Sequence, residues 1–256
     1  MNKINAAFDG KKALICYLMA GDPNLEVSAE LILTAQEAGA DLIEIGIPFS
    51  DPIAEGEVIE AASIRALSGG VNLEGVFDMV NSIKDKMRIP VVFMTYLNPV
   101  FVYGYQRFFA KCKDIGVSGV IIPDLPYEEQ KEVKEHAYVF GVNIITLVAP
   151  TSQNRVAKIA KDAEGFIYLV SSMGVTGVRE LIETDLSGIV AGIREVTDTP
   201  VAVGFGISSP EQAKACAAIS DGAIVGSAIV RLIAEHGEGA KQAVYEYVSA
   251  LKKGMQ

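Results

Sequence analysis

The chain has 256 residues, a formal net charge of −10, 50% hydrophobic residues, three cysteines, two histidines and no tryptophan. That length makes one large domain or two small ones, with enough chain to bury a core without staples, and argues against disorder. A pI near 4.8 without a Lys/Arg-rich run argues against nucleic acid or an anionic membrane as partner, so a bound anion would have to be held mostly by backbone groups.

Cys16, Cys112 and Cys216 form no CxxC, which suggests neither a disulfide framework nor a zinc site and fits a reducing cytoplasm best. His136 and His236 stand a hundred positions apart, each beside a Glu, and read as surface histidines; histidine-based metal or triad chemistry is not expected, and no metal site is predicted. The first twelve residues, MNKINAAFDGKK, hold no apolar run long enough for a secretory leader.

In chain order, short β-branched runs alternate with longer amphipathic ones. ALICYLM (13–19) predicts a first strand, and LEVSAELILTAQEA a helix after it with Ser28 or a neighbouring polar residue as its cap. DLIEIG (41–46), VVFMTY (91–96), GVIIPD (119–124) and NIITLV (143–148) predict strands 2 to 5, with YEEQKEVKEHAYVF a helix before the fifth. FIYLV (166–170), VAVGF (201–205) and AIVGS (223–227) complete eight, with Ser209 capping SPEQAKACAAIS. Gly39, Gly116, Gly141, Gly165 and Gly222 stand at helix-to-strand junctions, where a left-handed residue is wanted. The uncharged stretches 89–106 and 137–154 approach membrane-span length, but Pro and Gly interrupt them and each reads as a buried strand running into a loop.

Strands buried on both faces and separated by helices imply a parallel sheet with right-handed crossovers. The 256 residues divided among eight units allow 32 each, which suits a single (β/α)8 TIM barrel over residues 1–256. The rival, an open doubly wound sheet, usually carries a GxGxxG turn after its first strand, and GDPN at 21–24 is not one. Some 50 residues separate the starts of strands 2 and 3, so an insertion with an extra helix and a long loop follows strand 2. Barrel active sites lie on the loops after the strands, which directs attention to residues 46–60.

Strand 2 places Glu44 on the face opposite Ile43 and Ile45. On the barrel interior, apolar walls would raise its pKa toward neutrality and suit it to proton transfer; on the helix-facing side it would reach solvent or pair with a lysine. Spacing alone leaves both open. The next loop, PFSDPIAEGEVIE, carries Asp51, Glu55, Glu57 and Glu60, which could hold a hard cation, supply a second acid/base, or, most commonly, solvate a mobile loop. Later, SMGVTG (172–177), GFGIS (204–208) and VGSAIV (225–230) put glycines after strands 6, 7 and 8, the place of the phosphate site common in these barrels. Gly206, Gly226 and Ser227, joined by Gly177, are its candidate ligands.

The segments LIEIGIPFSDPIAEG, MTYLNPVFVYG, GVIIPDLPYEE, SSMGVTG, VGFGISSPEQ and GSAIV, in that order, resemble the alpha chain of tryptophan synthase over nearly the whole sequence. The resemblance implies cleavage of indole-3-glycerol phosphate to indole and glyceraldehyde 3-phosphate, without a cofactor in this chain. Its partner would be a pyridoxal-phosphate beta subunit in an alpha2beta2 heterotetramer. It further implies that Glu44 is the general acid/base, Tyr168 a substrate-site tyrosine, and Thr176 the threonine that orients the second carboxylate. Gly177, Gly206, Gly226 and Ser227 would be the phosphate cradle, and Asp51, Asn98 and Pro99 would face the beta subunit. The chain departs from the family pattern PFSDPxADGPxIQ: Glu55 replaces the Asp that accepts the indole N–H, Glu57 a proline and Glu60 a glutamine. Cys16 and Met19 stand where proline and threonine are frequent; Cys16 reads as a buried small hydrophobe. Two functions follow: a lyase, active or attenuated, or an alpha-like subunit that binds a phosphorylated ligand and regulates its partner with little turnover. A further phosphate-binding barrel isomerase is disfavoured, since strand 1 offers no suitable acid or lysine.

Overall fold

The computed structural model describes residues 3–150, 153–170, 186–204 and 206–256. Eight parallel strands close into a barrel in sequence order, the first pairing with the last. They are β1 Ala13–Met19, β2 Leu42–Gly46, β3 Val91–Met94, β4 Val117–Ile121, β5 Asn143–Val148, β6 Ile167–Val170, β7 Val201–Gly204 and β8 Gly222–Val225. Between and after them run α1 Leu25–Glu37, α2 Glu57–Ser68, α3 Leu73–Ile83, α4 Leu97–Tyr103, α5 Tyr105–Asp114, α6 Gln130–Val139, α7 Gln153–Lys161, α8 Leu186–Arg194, α9 Pro210–Ile219, α10 Ser227–His236 and α11 Lys241–Gly254. The expected insertion after β2 is the α2–α3 pair, and β3 is likewise followed by two helices, α4 and α5, which the sequence did not suggest. The two uncharged stretches resolve into β3 with α4, and into the end of α6 with β5. Among the described residues no helix is long and apolar enough to cross a membrane.

Two apolar clusters follow from the period-2 alternation of the strands. The outer one holds Leu14, Cys16, Ile43, Ile45 and Phe93 against the helices. The inner one holds Ile15, Tyr17, Met19, Leu42, Val92, Ile121, Ile145, Tyr168 and Ile224. Its lower end is filled by Ile4 and Phe8 from the N-terminal turn, with Phe8 and Phe166 rings 5.7 Å apart. Ile59, Ala62 and Ala66 of α2 belong to this inner cluster, and α2 packs against β1 and α10. It therefore covers the barrel's upper end instead of lying outside the sheet.

Several local expectations change. The strand expected at 119–124 runs two residues earlier, and Asp124 lies beyond it, its side chain accepting the Leu97 N–H at 2.9 Å. Asn24, not Ser28, caps α1, accepting from the Val27 N–H; Ser28 lies inside the helix and its Oγ accepts from Gly21 N–H at 2.9 Å. Ser209 caps α9 as expected. Gly39, Gly116, Gly141 and Gly165 have positive φ, whereas Gly222 opens β8 and is glycine because a Cβ there would sit 2.7 Å from the Ala13 carbonyl oxygen.

Candidate active site

Strand β2 points Glu44 into the barrel. Its register neighbours are Tyr17 and Val92, both inner-cluster residues, while Ile43 and Ile45 face the helices. The carboxyl is 1% exposed, and neither oxygen has a hydrogen-bond partner among the described residues. Burial alone pushes its pKa from 4.5 up to about 8, because a lone carboxylate in an apolar wall is costly to ionise. At neutral pH the group is a buried carboxylic acid, able to give a proton and take it back.

A cavity open at the C-terminal ends of the strands starts at Glu44. Tyr17, Met94, Tyr168, Ile224 and Ile59 form its apolar wall. Two close approaches shape that wall: a Cβ on Gly46 would lie 2.1 Å from the Tyr17 hydroxyl, and one on Gly204 would lie 2.5 Å from the Tyr168 ring. Both phenols are buried and held protonated, chiefly by burial, with nearby Glu44 adding to the shift.

Glu55 lines the same cavity from the β2–α2 loop. Tyr96, buried at the end of the β3 segment, donates to its Oε2. The same phenol oxygen accepts from the Ile53 and Ala54 N–H groups at 3.0 and 2.9 Å. Ser63 on α2 secures the loop's other end, accepting from the Phe49 N–H and donating to its carbonyl, each at 2.9 Å. Burial raises the Glu55 pKa, opposed by the Tyr96 hydrogen bond. The acids at 57 and 60 lie beyond the loop on α2, with Glu60 near enough to Glu55 to add to its raised pKa. They occupy the exposed first turn of α2, where negative charge complements the helix dipole. Among the described residues no group of three or more His, Cys, Asp or Glu side chains could hold a metal.

At the far end of the cavity lie Gly206, Ser208, Gly226, Ser227 and Ala228. Gly226 precedes α10 and Ser227 is its first residue, so the first N–H groups of the helix, which have no partner within it, belong to residues that line the cavity, the arrangement an anion uses. Gly206 has φ +81°. The β7–α9 loop is braced by Gln212, whose Oε1 accepts from Ser208 N–H, and by Tyr247, whose hydroxyl donates to the Ser208 carbonyl. Thr176 and Gly177 lie outside the described residues.

The structure thus brings Glu44, Glu55, Tyr168, Gly206, Gly226 and Ser227 to one cavity. Asp51, Asn98 and Pro99 lie away from it, Asp51 and Asn98 on the surface, and near them in sequence stand the exposed Ile53, Phe101 and Val102. Sequence reasoning missed Tyr17 and Tyr96. Alternation in ALICYLM sets Tyr17 on the face with Ile15 and Met19, and that signal was available; nothing local marks Tyr96. Cys16 is buried in the outer cluster, away from the mouth.

Comparison with known proteins identifies the family and agrees with the fold. The family described as tryptophan synthase alpha chain matches residues 4–256. The alpha chain of Lacticaseibacillus casei is 45% identical over 252 residues, covering 98% of this chain and 95% of that protein. That of Lactiplantibacillus plantarum is 46% identical over 256 residues, covering 100% and 97%. Among solved structures, the Legionella pneumophila alpha chain superposes with a TM-score of 0.89 at 35% identity, covering 100% of this chain and 97% of that one. A chain from the Pyrococcus furiosus tryptophan synthase a2b2 complex gives a TM-score of 0.84 at 35% identity, covering 94% and 98%.

Proposed function

The chain belongs to the tryptophan synthase alpha chain family, and on that premise we propose that its cavity cleaves indole-3-glycerol phosphate to indole and glyceraldehyde 3-phosphate. It is a carbon–carbon lyase of tryptophan biosynthesis. The observation that carries the assignment of residues is Glu44: a buried carboxyl with both oxygens unpartnered among the described residues, at one end of a cavity whose other end is the start of α10.

In this reading the phosphate rests on the amides around Gly206, Gly226 and Ser227, with Gly177 completing the cradle, and the indole lies in the apolar wall beside Tyr168. Glu44, protonated near neutrality, gives its proton to indole C3. The resulting carboxylate takes the proton of the glyceryl hydroxyl beside the scissile bond as that carbon becomes the aldehyde, and the electron pair of the breaking C–C bond returns to the ring. The acid form of Glu44 is regenerated, so the cycle is proton-neutral. Glu55 accepts the indole N–H and steadies the charge that develops on the ring, with Thr176 orienting it. Both steps are proton transfer and hydrogen bonding and ask for no cofactor in this chain; pyridoxal phosphate belongs to the beta subunit, with which the chain forms an alpha2beta2 assembly through the surface around Asp51, Asn98 and Pro99. The compartment we assign is the cytoplasm.

Glu55 lowers turnover relative to an Asp at this position, because the added methylene displaces the acceptor; a misplacement of about 1 Å can cost on the order of a hundredfold. The test is indole release from indole-3-glycerol phosphate, with and without a beta subunit. The wild-type chain releases indole, faster with the partner, and Glu44→Gln abolishes release. A Glu44→Gln chain as active as wild type would remove Glu44 from the mechanism, and a wild-type chain without turnover that still alters the beta reaction would make it a regulatory subunit.

A further inference from the structure

We propose that Tyr17 is a substrate-binding residue that reads the glyceryl segment of the ligand, its hydroxyl donating a hydrogen bond to a glyceryl oxygen between the anion cradle and Glu44. The side chain spans that interval. At its root, a Cβ built on Gly226 would lie 3.3 Å from the Tyr17 Cβ and 3.5 Å from its ring, so the phenol starts against the cradle. At its tip, the hydroxyl occupies the space over Gly46 that any side chain would fill. Gly46 is two residues beyond Glu44 on the same inward face of β2, and Tyr17 and Glu44 are register partners.

The hydroxyl has reason to seek a ligand. Tyr17 is 5% exposed, and the acceptor its proton meets among the described residues is the Met19 thioether at 4.0 Å. Sulfur is a weak acceptor, and a buried hydroxyl without a good one forfeits most of a hydrogen bond. Packing does not explain the oxygen, since phenylalanine would fill the same wall. Burial and the neighbouring carboxyls keep the phenol protonated, so it stays a donor. A glyceryl chain held at one end by its phosphate passes the ring and brings its oxygens to this tip.

Tyr17 takes this part only if the cavity holds a phosphorylated glyceryl chain, which rests on the function proposed above. Calorimetric titration of wild type and Tyr17→Phe with glycerol 3-phosphate and with inorganic phosphate separates the two questions. Wild type binds glycerol 3-phosphate more tightly than phosphate. Tyr17→Phe loses roughly three- to tenfold of its affinity for glycerol 3-phosphate, the worth of one neutral hydrogen bond, and keeps its affinity for phosphate. No loss overturns the assignment. So does an equal loss for both ligands, which would mean a disturbed cradle, and so does failure of glycerol 3-phosphate to bind wild type. Indole release by the wild-type chain reports on the reaction independently: its absence would refute the cleavage reading while the titrations still decide Tyr17.

Discussion

Tyr96 and Glu55 stand 41 residues apart in sequence and share a hydrogen bond at the barrel mouth, the phenol donating to the carboxylate. Because the same oxygen accepts two backbone N–H groups of the loop, Tyr96 fixes both the course of the chain before Glu55 and the direction of its side chain. Tyr96→Phe is expected to lower kcat for indole release by about tenfold while changing stability by only about 1–2 kcal/mol, since the exposed side of the loop lets water replace the lost contacts. Glu55→Asp is expected to raise kcat by roughly tenfold, within the range that sub-ångström placement controls. Steady-state kinetics on the two variants check both, and a slower Glu55→Asp enzyme would show that the longer side chain is no handicap.

Glu44 makes stability depend on pH in an unusual direction for a carboxyl. Its folded pKa, about 8, lies above the ordinary 4.5. The native state therefore binds the proton more tightly, and stability present below about pH 4.5 is lost as the pH rises toward 8. At pH 7 the loss is on the order of 3 kcal/mol. Glu44→Gln should be more stable than wild type at pH 8, with the difference closing near pH 5, while being inactive. Urea denaturation at both pH values measures it. The activity of the wild-type chain should fall above about pH 8 as the acid form is depleted.

Gly204→Ala tests how Tyr168 is held. The added methyl would overlap the Tyr168 ring, and overpacking of this kind costs about 1–3 kcal/mol. The ring is expected to shift into the cavity, raising KM for indole-3-glycerol phosphate more than tenfold, as a side chain pushed into a preformed site does. An unchanged KM with a folded protein would show that Tyr168 does not border the ligand.

Asp22 and Arg65 join the β1–α1 loop to α2 through two hydrogen bonds of 2.8 Å. Asp22 is 2% exposed, whereas the Arg65 side chain is 39% exposed. Arg65→Met strands a buried carboxylate and should destabilise the fold by about 2 kcal/mol, less than a fully enclosed pair would lose, because solvent screens the arginine. Asp22→Asn in the same chain should recover part of that loss, as a denaturation double-mutant cycle would reveal.

Phe101 and Val102 are 64% and 76% exposed on α4, the helix that carries Asn98 and Pro99. Phe101→Glu is expected to weaken association with a beta subunit at least tenfold, as a charge placed in an apolar contact does, while the isolated chain keeps its own rate of indole release. Analytical ultracentrifugation with the partner, alongside the indole assay, distinguishes this from a folding defect.

The barrel was legible because most of its strands are buried on both faces and leave an apolar signature, as in VVFM. Limits were less so: Ile122 and Pro123 continue the apolar run of β4 up to Asp124 in sequence, yet Asp124 is recruited to the start of α4 by a distant N–H. Glu44 stood out as a lone acid in a strand, but which face it took depended on the closure of the whole sheet. Ser28 resembled a cap and instead braces the preceding loop. Tyr96 was hidden for a physical reason: its partners lie on a loop more than forty residues upstream, and a terminal aromatic of an apolar run looks like ordinary core.

The position of α2 bears on how the site is kept assembled. Ile59, Ala62 and Ala66 lie with Tyr17, Met19 and Leu42 in the barrel's own interior, so the segment that follows Glu55 cannot fray without exposing the apolar centre of the sheet. Local opening of the catalytic loop is thereby tied to opening of the barrel, and the two form one cooperative unit. Amide protons of α2 should consequently exchange with solvent at rates close to those of β1 and β2, slower than an inserted helix on the periphery would allow.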